Sequence, residues 1–239
     1  MILARLMQIP GPSSILLLFF IFVVLPWVAI ASARQLRTSK ETPSRASLAF
    51  GTLGIVLTNF WLAWRVAGEI GVSLFAFPRP SLGAVMAAVS ALLLLYGIHL
   101  SLRKSRTEEE RRQLAVFRLA PRTRRDAFLW GAIIPFVAIS EEAAYRGMGM
   151  TVLWDVVGDP WLAAVLCALA FTLGHWVQGW KSCLAIFAIG LVLQGLVAVT
   201  GTLLIAMGVH AAYNYWAGHS IIKTARRFDA EAAAVPPAE

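Results

Sequence analysis

The sequence predicts an all-α, polytopic transmembrane helical bundle of about seven helices, and three observations carry that reading. Of the 239 residues, 59% are hydrophobic and 14% are charged, against about 45–50% and about 25% in soluble domains. The apolar residues fall in runs of about 17–25, the length that crosses a hydrocarbon core. The basic residues gather between those runs, as in cytoplasmic loops facing anionic lipid. The net charge of +8 and pI near 10.2 therefore point to membrane lipids as partners, and nucleic acid is not expected.

The expected spans run from Ser14 to Ser32, Ala46 to Trp64, Ser81 to Leu102, Ala127 to Leu153, Pro160 to Trp176, Ser182 to Ala198 and Gly201 to Ala217. They divide the chain into residues 1–126, the N-terminal helices with a basic cytoplasmic linker; 127–217, the core that carries the chemistry; and 218–239, a cytoplasmic and disordered tail. The first run has features of a signal peptide, with Arg5 before it and Ala31-Ser32-Ala33 near its end. Arg34, Arg37, Lys40 and Arg45 follow it directly, which favours a retained span.

Orientation follows from the loops. The segment Arg103 to Asp126 is strongly basic, and Lys223, Arg226 and Arg227 open the tail. These alternate with poorer loops holding Arg65, Glu69 and Arg79, or Asp155 and Asp159. The positive-inside bias puts the N-terminus outside and the C-terminus in the cytoplasm, as expected for a bacterial inner membrane protein. Thr107 to Phe117 mixes Glu108, Glu109 and Glu110 with Arg111 and Arg112, the pattern of a solvated or interfacial helix. Cys167 and Cys183 occur without a CxxC and read as small buried hydrophobes.

Ionisable groups inside a span cost about 2.5–3.5 kcal/mol each and so are functional candidates. The fourth span holds Glu141, Glu142, Tyr145 and Arg146, the fifth Phe171 and His175, and the seventh His210 and Asn214. Helical spacing sorts them. Glu142 and Arg146 are four apart and can pair. Glu141 is rotated about 100° from Glu142 and has no cation on its own face. His210 and Asn214 share a face, and Phe171 stands one turn before His175. The three spans can bring these groups into one cavity open to the cytoplasm, with Phe171 and Tyr145 in its wall.

A carboxylate desolvated in such a cavity is a stronger base than in water, and a base tuned toward neutrality can take a proton from water. His175 could share and orient that water. His210 and Asn214 could donate to the oxyanion formed when water attacks an amide carbonyl. Other protease chemistries lack their residues: there is no HExxH, no Gly-x-Ser-x-Gly, and no Asp inside an apolar run.

These residues form three ordered patterns: Glu141-Glu142 with Arg146, Phe171 with His175, and His210 with Asn214. The chain thereby resembles the CPBP intramembrane proteases, also called the CAAX-protease and bacteriocin-processing, or Abi, family. The resemblance covers about Arg124 to Trp216. It implies an α-helical membrane fold and endopeptidase activity on a prenylated or membrane-associated peptide. In that frame Glu141 and His175 activate water, His210 and Asn214 form the oxyanion site, and Glu142 and Arg146 hold the constellation. No cofactor is expected. The alternative is zinc on His175, His210 and Glu141, since imidazole and carboxylate suit that ion; Asn214 is a poor zinc ligand and a good oxyanion donor. Two other readings are a non-catalytic immunity or scaffold protein of the same fold and a proton-coupled transporter. The intact constellation speaks against the first, and the lack of internal repeats against the second.

Overall fold

The computed structural model describes residues 10–39, 43–77 and 81–234. Arg5, Lys40, Arg79 and the tail residues 235–239 lie outside the described residues, as does the side chain of Arg45. Seven long helices follow the order expected: α1 Pro12–Thr38, α2 Arg45–Ile70, α3 Leu82–Lys104, α6 Arg124–Val157, α7 Pro160–Leu173, α8 Trp180–Thr200 and α9 Leu203–Ala233. Two short helices, α4 Glu108–Gln113 and α5 Ala115–Leu119, occupy the basic linker. No strand occurs among the described residues.

The protein is an all-α integral membrane bundle. Five helices (α1, α2, α3, α6 and α8) are long and apolar enough to cross a bilayer. The expected seven spans are present as helices, but two fail that test. With 14 residues, α7 rises only about 21 Å, short of a hydrocarbon core of about 30 Å. α9 has no stretch of that length that is apolar enough, since His210, Asn214 and His219 interrupt it. Many large apolar side chains face outward, among them Trp27, Phe50, Trp61 and Trp161, as lipid rather than water solvates the surface.

Local sequence sets the ends. Ser44, Ser81, Thr123 and Thr202 cap α2, α3, α6 and α9 with side-chain oxygens that accept from the first turn. Between α6 and α7, Gly158 adopts φ +73°, Asp159 caps, and Pro160 opens the next helix.

Two boundaries differ from expectation. The fifth span ends at Leu173, before His175. The chain tightens there, with His175 N donating to the Thr172 carbonyl, and runs through a 3₁₀ turn, Trp176–Gln178, to Gly179 at φ +85°. The expected disordered tail is helical as far as Ala233. Its buried Ala225 and Phe228 explain this, the latter with Phe117 of α5 at 5.6 Å between ring centroids.

The core has two centres. One gathers Leu17 and Ile21 of α1, Ala63 and Val66 of α2, Ala143, Ala144 and Met148 of α6, and Phe171 of α7. Leu17 and Ile21 are fully buried, so the first span is part of the bundle. The other packs Leu95 of α3 and Leu193 of α8 against Ala206 and Val209 of α9. Where α6 crosses α9, a Cβ on Gly218 would fall on the Trp130 ring. Gly218→Ala is expected to cost about 1–3 kcal/mol through overpacking, read as a lower unfolding temperature in detergent.

Charges tie the linker helices to the bundle. Thr107 and Glu110 form a capping box. Glu108 accepts from Arg227 at 2.9 Å, Arg112 meets Glu231, and Arg122 lies 2.7 Å from Asp229. Lys181 of α8 donates to Glu110 at 2.8 Å. The hydrogen bond from Arg227 holds the Glu108 carboxyl below its ordinary value, and that from Lys181 does so for Glu110. A carboxylate whose folded pKa is lowered stabilises at neutral pH, and its contribution is lost as pH falls through the folded value. Amide exchange over residues 108–119 is therefore expected to quicken below about pH 4, beneath the ordinary carboxylate range. Exchange unchanged down to full protonation would mean that the apolar contacts alone hold the linker.

Candidate active site

The winding of α6 changes where the acidic pair occurs. Residues Glu142–Gly149 form a π-helical segment, and all eight are buried. Such insertions in α-helices are uncommon and concentrate at functional sites. Small residues permit it: a Cβ on Gly149 would stand 2.5 Å from the Ala144 carbonyl oxygen.

The segment holds a buried ion pair. Glu142 is fully buried and Arg146 is 4% exposed. Glu142 Oε1 accepts from Arg146 Nη1 at 3.1 Å and from His210 Nδ1 at 2.7 Å. The Arg146 guanidinium also lies 4.1 Å over the Phe171 ring, a cation–π contact. Gly190 of α8 makes room for it, since a Cβ there would sit 3.3 Å from Arg146 Nη2. One carboxylate thus fixes both an arginine one turn away and a histidine on α9.

Glu141 points elsewhere. Its side chain is 14% exposed and lies in the wall of a cavity of about 510 Å³. Its oxygens stand 3.9 Å from His175 Nε2 and 3.7 Å from His210 Nε2. Both gaps exceed hydrogen-bond length and suit a bridging water. The far side of each imidazole is anchored. His175 Nδ1 meets the Phe171 carbonyl at 2.7 Å, and a carbonyl only accepts, so that nitrogen carries the proton. His210 Nδ1 faces the Glu142 carboxylate in the same way. Both Nε2 atoms are therefore turned toward Glu141 and the cavity.

Phe171 packs the centre, with ring centroids 4.5 Å from His175, 6.1 Å from His210 and 5.2 Å from Tyr145. Asn214, one turn beyond His210, lines the same cavity, and its amide has no hydrogen-bond partner among the described residues.

Most of the expected site comes together: Glu141, Phe171, His175, His210 and Asn214 all line one cavity. Glu142 and Arg146 sit behind it as a buried pair. Two expectations need correction. Tyr145 does not line the cavity; it is 3% exposed and packs edge-on behind Phe171, because the π winding turns it inward. His175 sits in the turn after α7 rather than within a helix. Sequence reasoning also passed over Arg106, Trp130, Gln178 and Tyr213 in the wall; only Arg106 gave a signal, as one of many basic loop residues.

The donor types suit zinc, and histidines anchored through Nδ1 are what zinc sites use. The spacing does not close a ligand set. Zinc bonds of about 2.0–2.2 Å bring tetrahedral ligands to about 3.3–3.6 Å of one another, and these gaps are 3.7 and 3.9 Å. No group of three or more His, Cys, Asp or Glu able to hold a metal ion is found among the described residues.

Fold and site together define an integral membrane protein with an acid–histidine centre built into its helices. Residues 123–216 match the family model described as Rce1-like, type II CAAX prenyl endopeptidase. That segment carries every residue of the centre, so the chain is similar to this family there. No curated protein and no solved structure matches the chain.

Proposed function

We propose that the protein is an intramembrane endopeptidase that hydrolyses a peptide bond of a membrane-associated or lipid-modified substrate. The observation that carries this reading is the Glu141 carboxylate, 3.9 and 3.7 Å from the Nε2 atoms of two anchored histidines at the wall of a cavity. A water in that gap would give one proton to Glu141 and donate its other hydrogen to His175 Nε2. Its oxygen attacks the scissile carbonyl carbon, and the carbonyl oxygen takes the negative charge. Asn214 and His210 donate to that oxyanion. For this, His210 must be the imidazolium, with one N–H on Glu142 and the other free for the oxyanion. Glu141 then passes its proton to the leaving nitrogen, the C–N bond breaks, and a carboxylic acid and an amine remain, which become carboxylate and ammonium when the acid proton moves to the amine. Glu142 and Arg146 position His210 and do not touch substrate.

The positive-inside bias supports a cytoplasmic location for the basic linker and the C-terminal extension of α9, and in this reading substrate enters from the cytoplasm of a bacterial cell. The residues here complete the reaction without a cofactor, and no step runs through zinc. Chelator treatment is expected to leave the cleavage rate unchanged; loss of activity restored by added zinc would replace this mechanism with a metal-based one.

The test of the function is a comparison of peptide termini in host membranes carrying wild type or Glu141→Ala at matched expression. Termini present with wild type and absent with the variant identify a protease and its substrates. Identical termini, with both proteins folded, would favour the non-catalytic immunity or scaffold reading.

A further inference from the structure

A second tie between α6 and α9 lies one residue beyond Asn214. Pro135 stands inside α6. Proline has no N–H, so the carbonyl four residues earlier, that of Gly131, loses its helical donor. In lipid no water replaces that donor, and a neighbouring helix must supply one. Tyr215 of α9 does so: its hydroxyl donates to the Gly131 carbonyl oxygen at 2.7 Å. The approach is close, since a Cβ on Gly131 would stand 3.6 Å from Tyr215 Cε1.

An exposed ring does not by itself require this bond. Tyr215 is 43% exposed, with Trp216 beside it at 36%. Aromatics so placed usually turn their polar ends to water or lipid headgroups. Tyr215 instead directs its hydroxyl to a carbonyl that α6 cannot serve from its own turns. Tyr96 of α3, whose ring lies 4.8 Å from Trp216, is exposed to a similar degree and makes no hydrogen bond among the described residues.

Two hydrogen bonds join α6 to α9 among the described residues: His210 Nδ1 to Glu142, and Tyr215 to Gly131. They bracket Asn214, which lines the cavity and has no hydrogen-bond partner of its own among the described residues. The close packing of Gly218 on Trp130 is apolar and non-directional, so it sets a separation rather than a rotation. With the His210 bond alone, α9 could pivot about that one point. The second bond fixes both the rotation and the slide of residues 210–215 against α6. A misplacement of about 1 Å can cost a reaction about 10²-fold, so the position of Asn214 matters to the rate.

We propose that Tyr215 is a positioning residue: by serving the carbonyl that Pro135 leaves without a donor, it locks α9 against α6 and holds Asn214 where the oxyanion forms. It touches no substrate. The consequence for rate rests on the endopeptidase reading, and the tie between the helices can be read without turnover.

The experiment varies the tyrosine and the proline together in the full-length protein in nanodiscs, with an S-farnesylated peptide ending in a CAAX sequence as the probe. Tyr215→Phe is expected to lower kcat by about 10- to 100-fold, with KM little changed, and to lower the unfolding temperature. Pro135→Ala returns an N–H to the Gly131 carbonyl. In that background Tyr215→Phe should lower the unfolding temperature much less. Its effect on kcat should remain, because the bond between the helices is still missing. Tyr96→Phe should change neither quantity. Spin labels at Ala132→Cys and Ala212→Cys, both exposed positions, report the tie directly once Cys167→Ala and Cys183→Ala have removed the native thiols. Their distance distribution should broaden with Tyr215→Phe in both backgrounds. Undiminished kcat, or a kcat that recovers together with stability, overturns the proposal, as does an unchanged distance distribution. Broadening with no cleavage by any form, wild type included, supports the tie and counts against the endopeptidase reading alone.

Discussion

Glu141→Ala is expected to lower kcat for peptide cleavage by about 10²–10⁴-fold, the usual contribution of a general base, with KM little changed. Glu141 has no direct hydrogen bond to either histidine, and its side chain keeps 14% of its exposure. Its removal therefore strips the site of its proton acceptor without orphaning a buried partner. Rate measurements on purified protein in detergent, alongside thermal unfolding, separate these effects. Undiminished turnover would sink Glu141 as the base. A large fall in unfolding temperature would show that it supports the bundle as well.

The second large effect falls one residue later and has the opposite character. Arg146→Ala, or Glu142→Ala, is expected to destabilise the bundle by about 3–5 kcal/mol, because each leaves a charge buried without its partner. Glu142 accepts from both Arg146 and His210, so its loss also frees the α9 histidine to rotate. The double replacement Glu142→Leu with Arg146→Met removes both charges and should be milder than either single change. It should still be inactive, since His210 loses its anchor. Unfolding midpoints for the three variants decide this. Single variants as stable as wild type would mean the pair is solvated in a way the burial does not suggest.

These two neighbouring glutamates show how much could be read before the fold was known. Composition alone required a lipid solvent, and the apolar runs located all seven helices to within a few residues over most of their length. Spacing of four paired Glu142 with Arg146 and set His210 beside Asn214. It failed at His175, because the helix ends at Gly174, and a single glycine inside an apolar run also fits a helix interior. It failed at the α9 extension too. Its polar sequence resembles a loose tail until Phe228 meets Phe117 and Arg112, residues more than a hundred positions away.

Tyr145 is instructive for a different reason. On an ideal α-helix it shares a side with Glu141 and Glu142, which made it a plausible wall residue. The π winding from Glu142 to Gly149 redirects that face, and Tyr145 turns into the core behind Phe171. Sequence periodicity assumes constant winding, so a change of winding cannot be seen in it. Arg106 escaped notice because one basic residue among many carries no pattern. Its distinction is the hydrogen bond to the Ser182 hydroxyl of α8, a relation between segments far apart in the chain.

By itself, the sequence determined the class of solvent, the helical architecture and the identity of the acid–histidine residues, because these depend on residue type and short-range spacing. Only the tertiary structure decided which glutamate faces the cavity and which histidine nitrogen faces which carboxylate. Those outcomes depend on distances of 3 to 4 Å between α6, α7, α8, α9 and the linker. Such distances are set by packing among helices far apart in the chain, and no local pattern encodes them.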